Sequence, residues 1–182
     1  MAKKNTTNAN NRNPVAWMAA TVSLCALVVS LYQTYLQRKQ QYASVWPRLE
    51  VYSFNQIADS SYQCGFRVMN RGVGPAIIES VELQVNEKNT RQLGEFAGFL
   101  LDTRPNLAEV NNSINDLVSV GTFIPAGQEI DWLAFTAKVT DRYWLDPALQ
   151  NARILIRYTS IYGEKWEVCL GCPDYPHHIK LN

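Results

Sequence analysis

Residues 66–85 read FRVMNRGVGPAIIESVELQV, and this stretch decides how the rest of the chain is parsed. Ile78, Val81, Leu83 and Val85 are interleaved with Glu79, Glu82 and Gln84, the two-residue alternation of a half-buried strand. A second strand, Tyr62–Asn70, precedes it. Between them, Asn70-Arg71-Gly72-Val73-Gly74-Pro75 is a turn by composition. Gly72 and Gly74 are free to take positive φ there, and Pro75 ends the ladder.

The same logic extends outward in both directions. Leu49–Phe54 alternates, and Ser119–Ile124, Glu129–Thr136, Arg153–Ser160 and Lys165–Leu170 follow. Pro125–Gln128 divides one pair. Ile161-Tyr162-Gly163-Glu164 is a tight hairpin, with Gly163 its turn-forming residue. Seven or so short strands with turn signals between them predict an all-β, immunoglobulin-like antiparallel sandwich over residues 47–172, followed by a tail at 173–182. Leu93–Asp116 does not read as strand. GEFAGFLLDT and NLAEVNNSINDL look helical or irregular, separated by Pro105, and form an insertion. Asp141–Gln150 is a second helical piece. Phe96, Phe99, Leu100 and Leu101 are expected to pack on the sandwich, because exposed apolar patches of that size are rare in monomers.

Upstream, no charged residue occurs between Arg12 and Arg38. The segment 14–37 is expected to be a transmembrane helix, with Val15, Trp17, Leu24, Leu31 and Leu36 along it. About 22 helical residues span roughly 33 Å, enough for a hydrocarbon core. Pro14 suits the first turn, and Trp17, Tyr32 and Tyr35 suit the two interfaces. The apolar run continues into bulky residues without a small-x-small site, which argues against a cleaved leader. Residues 1–13 are expected to be a disordered basic tail, and 38–46 a juxtamembrane stalk that Pro47 stops. Lys3, Lys4, Arg12, Arg38, Lys39 and Arg48 precede any acid in the chain, which suits contact with a lipid bilayer bearing anionic head groups. The slight basic excess on the N-terminal side predicts that end in the cytoplasm and the domain outside.

The pattern N-x-G-x-G-P-A at Asn70–Ala76 and I-x-Y-x-x-x-[FY]-G at Ile156–Gly163 resembles the strand–turn–strand and closing hairpin of bacterial single-pass membrane-anchored β-sandwich proteins of unknown function. The resemblance implies an inner-membrane or surface protein with a soluble sandwich, and it supplies no activity.

Chemistry is sparse. Cys169-Leu-Gly-Cys172, with His177 after it, is the one cluster of soft ligands. Cys169, Cys172 and His177 would make three zinc ligands, but a fourth is missing. A disulfide is the next reading: Cys64 with Cys169 if the domain is outside, or Cys169 with Cys172. Plain buried thiols, since free cysteine packs well in cores, are the default against which both are set. No nucleophile elbow, phosphate loop, zinc-protease helix or dinucleotide fingerprint occurs, so no catalytic or cofactor-binding residue is assigned. With 17 Lys and Arg against 16 Asp and Glu, a nucleic-acid partner is not expected. The expected role is non-enzymatic: a protein-interaction or assembly module at the membrane, with self-association helped by the small-residue stripe Ala16, Ala19, Ala20, Ser23 and Ala26. The alternative is a sensor or ligand-binding domain for a small molecule or envelope component.

Overall fold

The computed structural model describes residues 14–43, 45–58, 60–102, 110–173 and 178–181. It divides after Ala43 into two units. The tail expected to be disordered, 1–13, lies outside the described residues.

The first unit is one helix, α1 (Pro14–Ala43), which begins at the proline expected in its first turn. It runs without a break into the segment read as a stalk and ends at Ala43, while Val45 and Trp46 belong to the second unit. Thr21 donates to the carbonyls of Trp17 (3.1 Å) and Met18 (2.8 Å), Ser23 to Ala19 (2.8 Å) and Thr34 to Ser30 (2.9 Å). These hydroxyls are satisfied by the helix's own backbone, as an apolar surrounding requires. By length and composition α1 could cross a membrane, and none of its apolar window is buried within the protein.

The second unit is mostly antiparallel sheet. Its strands are β1 (Leu49–Ala58), β2 (Ser61–Asn70), β3 (Ala76–Val85), β4 (Lys88–Thr90), β5 (Asn111–Ile114), β6 (Phe123–Ile124), β7 (Glu129–Lys138), β8 (Ala152–Thr159), β9 (Lys165–Leu170) and β10 (His178–Leu181). The helices are α2 (Leu93–Leu101) and α3 (Arg142–Gln150), the latter preceded by a 3-10 turn, Val139–Asp141. One sheet runs β1-β2-β7-β5. The other runs β10-β9-β8-β3-β4, with β6 also on β3. Every pairing among the described residues is antiparallel.

Alternation explains the core. Tyr62, Cys64, Phe66 and Val68 of β2 face inward with Trp132 and Phe135 of β7, and Ile78, Leu83, Ile154, Ile156 and Tyr158 come in from the other sheet. Each fully buried large apolar side chain contributes roughly 1.5–3 kcal/mol. α2 adds Leu93, Phe96, Ala97 and Leu100, the i, i+3, i+4, i+7 stripe of a helix lying on a core. Phe99 and Leu101 pack against it half-buried, so all four apolar residues singled out in this segment pack inward. α3 does the same with Leu145 and Leu149.

Several expectations need correction. The segment 93–116 is not strand-free, because Asn111–Ile114 pairs with β7. That strand is exposed on both faces, so its formation rests on backbone hydrogen bonds rather than alternation. Ser119–Ile124 narrows to Phe123–Ile124. The tail expected after residue 172 includes β10, which adds an edge to β9.

Candidate functional site

Most of what the sequence singled out meets at one end of the β domain, where Val45 comes into it. β1 starts there, β2 ends, β3 starts, β8 ends and β9 starts. This is the proximal end. Its centre is Asn70, fully buried. Asn70 Oδ1 accepts from the backbone N–H groups of Arg48 (3.2 Å) and Gly72 (3.0 Å). Its Nδ2 donates to the carbonyls of Gly74 (2.8 Å) and Ile124 (3.0 Å). One side chain therefore ties together the segment before β1, the turn after β2 and strand β6. The backbone N–H groups of Arg71 and Val73 complete the clasp by donating to the carbonyls of Arg48 (2.8 Å) and Trp46 (3.0 Å).

The glycines of this turn work differently from expectation. Neither Gly72 nor Gly74 is among the positive-φ residues. A Cβ on Gly72 would stand 2.4 Å from the Trp46 carbonyl oxygen, and one on Gly74 would stand 1.8 Å from that of Val45. They are glycines because residues 45–48 lie directly against them. Pro75 precedes the first residue of β3, as expected. Gly163, with φ of +81°, is the turn residue the hairpin requires.

Beside this clasp, β9 and β10 carry an aromatic stack. Trp166 packs on Trp46 (ring centroids 4.9 Å apart) and on His178 (5.4 Å, nearly parallel), with the Lys180 ammonium 5.1 Å from its ring. The Tyr158 hydroxyl accepts from the Leu49 N–H (3.1 Å) and meets His178 Nε2. Burial, and next the Arg48 charge, pull His178 below the ordinary imidazole value of 6.5, which favours the neutral ring at pH 7; in the tautomer that leaves Nε2 without a hydrogen, that nitrogen accepts a hydrogen bond from the Tyr158 hydroxyl. A groove of about 450 Å³ opens here between β1 and β9–β10, edged by Arg48, Glu50, Arg71 and His178. Glu50 pairs with Arg48 (3.6 Å) and Arg71 (2.5 Å).

The His178 shift has a testable sign. Between its lowered folded value and 6.5, the unfolded chain binds a proton that the folded state does not, so stability falls as pH drops through that window. His178→Gln keeps an acceptor for Tyr158 and is expected to flatten this part of the profile. Denaturation midpoints from about pH 8 to about pH 5 check it; parallel profiles for the two proteins would refute it.

Elsewhere, the Tyr62 hydroxyl donates to Asp146, which also pairs with Arg142 (3.2 Å). Burial, with Asp146 nearby, pushes the Cys64 thiol up to about 12, so it is inert rather than nucleophilic. A second groove, about 590 Å³, lies over β3 and the start of α2, where Glu79, Glu82, Asp116, Arg91 and Arg157 converge.

The cysteine expectations resolve as follows. Cys169 is joined to Cys172, with Cα atoms 6.0 Å apart, and Cys64 is free. The Cys64–Cys169 pairing is thereby corrected: Cys64 lies within the hydrophobic core cluster and Cys169 does not, while Gly171, at φ +76°, turns the chain so that Cys172 comes back to Cys169. A zinc role for Cys169 and Cys172 fails for the same reason, since a disulfide offers no thiolate. His177 lies outside the described residues. No group of three or more metal-type ligands occurs among those described. Val15, Trp17, Leu24, Leu31 and Leu36 all lie on α1 with their side chains exposed. The functional reading of the sequence missed Asn70 and the Trp46–Trp166–His178 stack. Asn preceding a Gly-x-Gly-Pro turn was the available signal for the first.

Fold and site together define a class: an apolar N-terminal helix joined to a mostly antiparallel β domain whose best-built feature is a hydrogen-bonded clasp. The chain belongs to the family described as "Domain of unknown function (DUF8453)", whose model matches residues 14–170. No curated protein matches it. Nor does any solved structure.

Proposed function

We propose that the chain is a single-pass protein of the bacterial inner membrane, and that its β domain, an immunoglobulin-like sandwich on the periplasmic side, is a protein-interaction or assembly module. The anchoring rests on α1, whose apolar side chains point outward on all sides: Val15, Leu24 and Leu31 are each more than half exposed. Such a surface is stable in lipid and not in water. The family match begins at Pro14 and runs through helix and domain together, which supports a retained helix. The Cys169–Cys172 disulfide supports an oxidising compartment for the domain.

The observation that carries the interaction role is the segment linking β5 to β6, which crosses from one sheet to the other. Ile114, Leu117, Val120 and Phe123 are all exposed along it, and β5 is an edge strand with one partner. Grouped exposed apolar side chains beside an open edge are what a protein partner covers. Val120→Glu with Phe123→Glu leaves the core intact. It is expected to weaken co-purification of two differently tagged copies from mild detergent by roughly 30-fold, about 2 kcal/mol. Unchanged recovery would count against this surface, and free monomers of the unaltered protein would count against self-association. External protease on intact spheroplasts is expected to remove a tag placed after Asn182; protection until lysis would reverse the orientation.

A second reading, a sensor or ligand-binding domain, is favoured by the convergence of Arg91 and Arg157 with three acids in the 590 Å³ groove, which suits a small charged molecule.

A further inference from the structure

We infer that the proximal end of the β domain is itself a lipid-contacting face, which lies on the head groups of an anionic bilayer. The inference rests on α1 spanning that bilayer. Sheet register places the tips of three segments at this end: residues 45–48 before β1, the 71–75 turn after β2 and the 160–164 hairpin after β8. Each tip carries an exposed apolar side chain, Trp46 at 48%, Val73 at 67% and Ile161 at 50%, although the loops of a soluble domain are ordinarily polar. Trp46 is held by its stack on Trp166, an amphipathic ring of the kind that settles at head-group level.

Sequence selects the occupant. Arg38 and Lys39 precede this end of the domain, Arg48 lies in it, and no acid occurs before Glu50, a purely basic approach that suits a layer of anionic head groups.

Charge agrees with this. Arg48 and Arg71, both with largely exposed side chains, share the single acid Glu50, which leaves one cationic charge in excess at the mouth of the 450 Å³ groove. Lys165 and Lys180 stand at the same end, paired with Glu79 and Glu164. An anionic lipid phosphate is the partner such a pair of guanidinium groups recognises.

The test uses the full chain in vesicles of phosphatidylcholine with and without phosphatidylglycerol. Nitroxide labels are placed at Val73→Cys and Ile161→Cys, with Glu87→Cys at the opposite end as the reference. All are made in a Cys25→Ser background; Cys64 is buried and Cys169 and Cys172 are paired. Collision with oxygen relative to an aqueous nickel chelate is expected to be several-fold higher at 73 and 161 than at 87 when phosphatidylglycerol is present, and to fall in Arg48→Gln/Arg71→Gln. Water-like values at all three sites, in protein that resists alkaline carbonate extraction, overturn this inference alone. Protein that carbonate strips from the vesicles overturns the spanning helix and this inference with it. A contrast indifferent to phosphatidylglycerol and to both arginines overturns the head-group assignment.

Discussion

Asn70→Ala lowers the stability of the β domain by about 4 kcal/mol, the expected result of leaving several buried backbone groups without partners at ~1–3 kcal/mol each. The side chain serves two N–H groups and two carbonyls. The bonds to Arg48 and Gly72 are only part-buried, which keeps the total below the sum. For a domain of this size the thermal midpoint should fall by roughly 10–15 °C. Tryptophan fluorescence of the full chain in detergent would report it. Asn70→Asp separates the contributions: a carboxylate keeps the acceptors but cannot donate to Gly74 and Ile124, and it buries a charge. Its deficit should shrink on acidification, as the protonated acid regains one donor. If Asn70→Ala were within about 1 kcal/mol of the unaltered protein, the clasp would not be what holds this end together.

Gly65→Ala should be of similar size for a different reason. Gly65 sits in β2 opposite Ala134 of β7, directly before the register shift at Phe66/Arg67. A Cβ there would lie 1.9 Å from the Leu133 carbonyl oxygen and 2.9 Å from the Ala134 Cα, both backbone atoms of a central strand that cannot swing aside. The ladder must open locally, at an expected cost of about 3–5 kcal/mol. Gly94→Ala and Gly98→Ala are the matched controls. Neither Cβ meets an atom within 4 Å, both positions lie in α2, and the substitutions should be neutral or stabilise by about 0.5–1 kcal/mol. Equal behaviour of the three alanine variants would show that backbone proximity at Gly65 is not limiting.

The strands legible in the sequence were those whose side chains do the work. β2, β3, β7 and β8 bury alternate residues over most of their length, so the period of two is written into them, and β9 was legible instead as a short run closed by a hairpin turn, with four consecutive residues buried. β4, β5 and β10 left no such mark, since Lys88–Thr90, Asn111–Ile114 and His178–Leu181 are short edge pieces with no buried side chain, held by backbone hydrogen bonds to a neighbour. The Asn70–Pro75 turn was legible as a turn, but the reason for its glycines was not. Their requirement comes from residues 45–48, brought against them by the β1–β2 pairing, and nothing local announces that approach. The cysteine pairing was hidden in the same way, because the turn at Gly171 that returns Cys172 to Cys169 leaves no mark in the strand pattern. The His178 stack was obscured by its position beyond the last strand read from the pattern.

The topology also sets a tempo. Hairpins β1–β2 and β8–β9 join neighbours in the chain, but the pairings that build the centre of each sheet match Ser61 with Lys138 and Val85 with Ala152. Such distant partners close their loops before any contact rewards them, which places a domain of this kind among the slow folders, in milliseconds to seconds. Until β7 and β8 have emerged, β2 and β3 each offer an unfilled edge of strongly apolar strand, and it is in this interval, rather than in the finished fold, that the newly made chain is most exposed to aggregation.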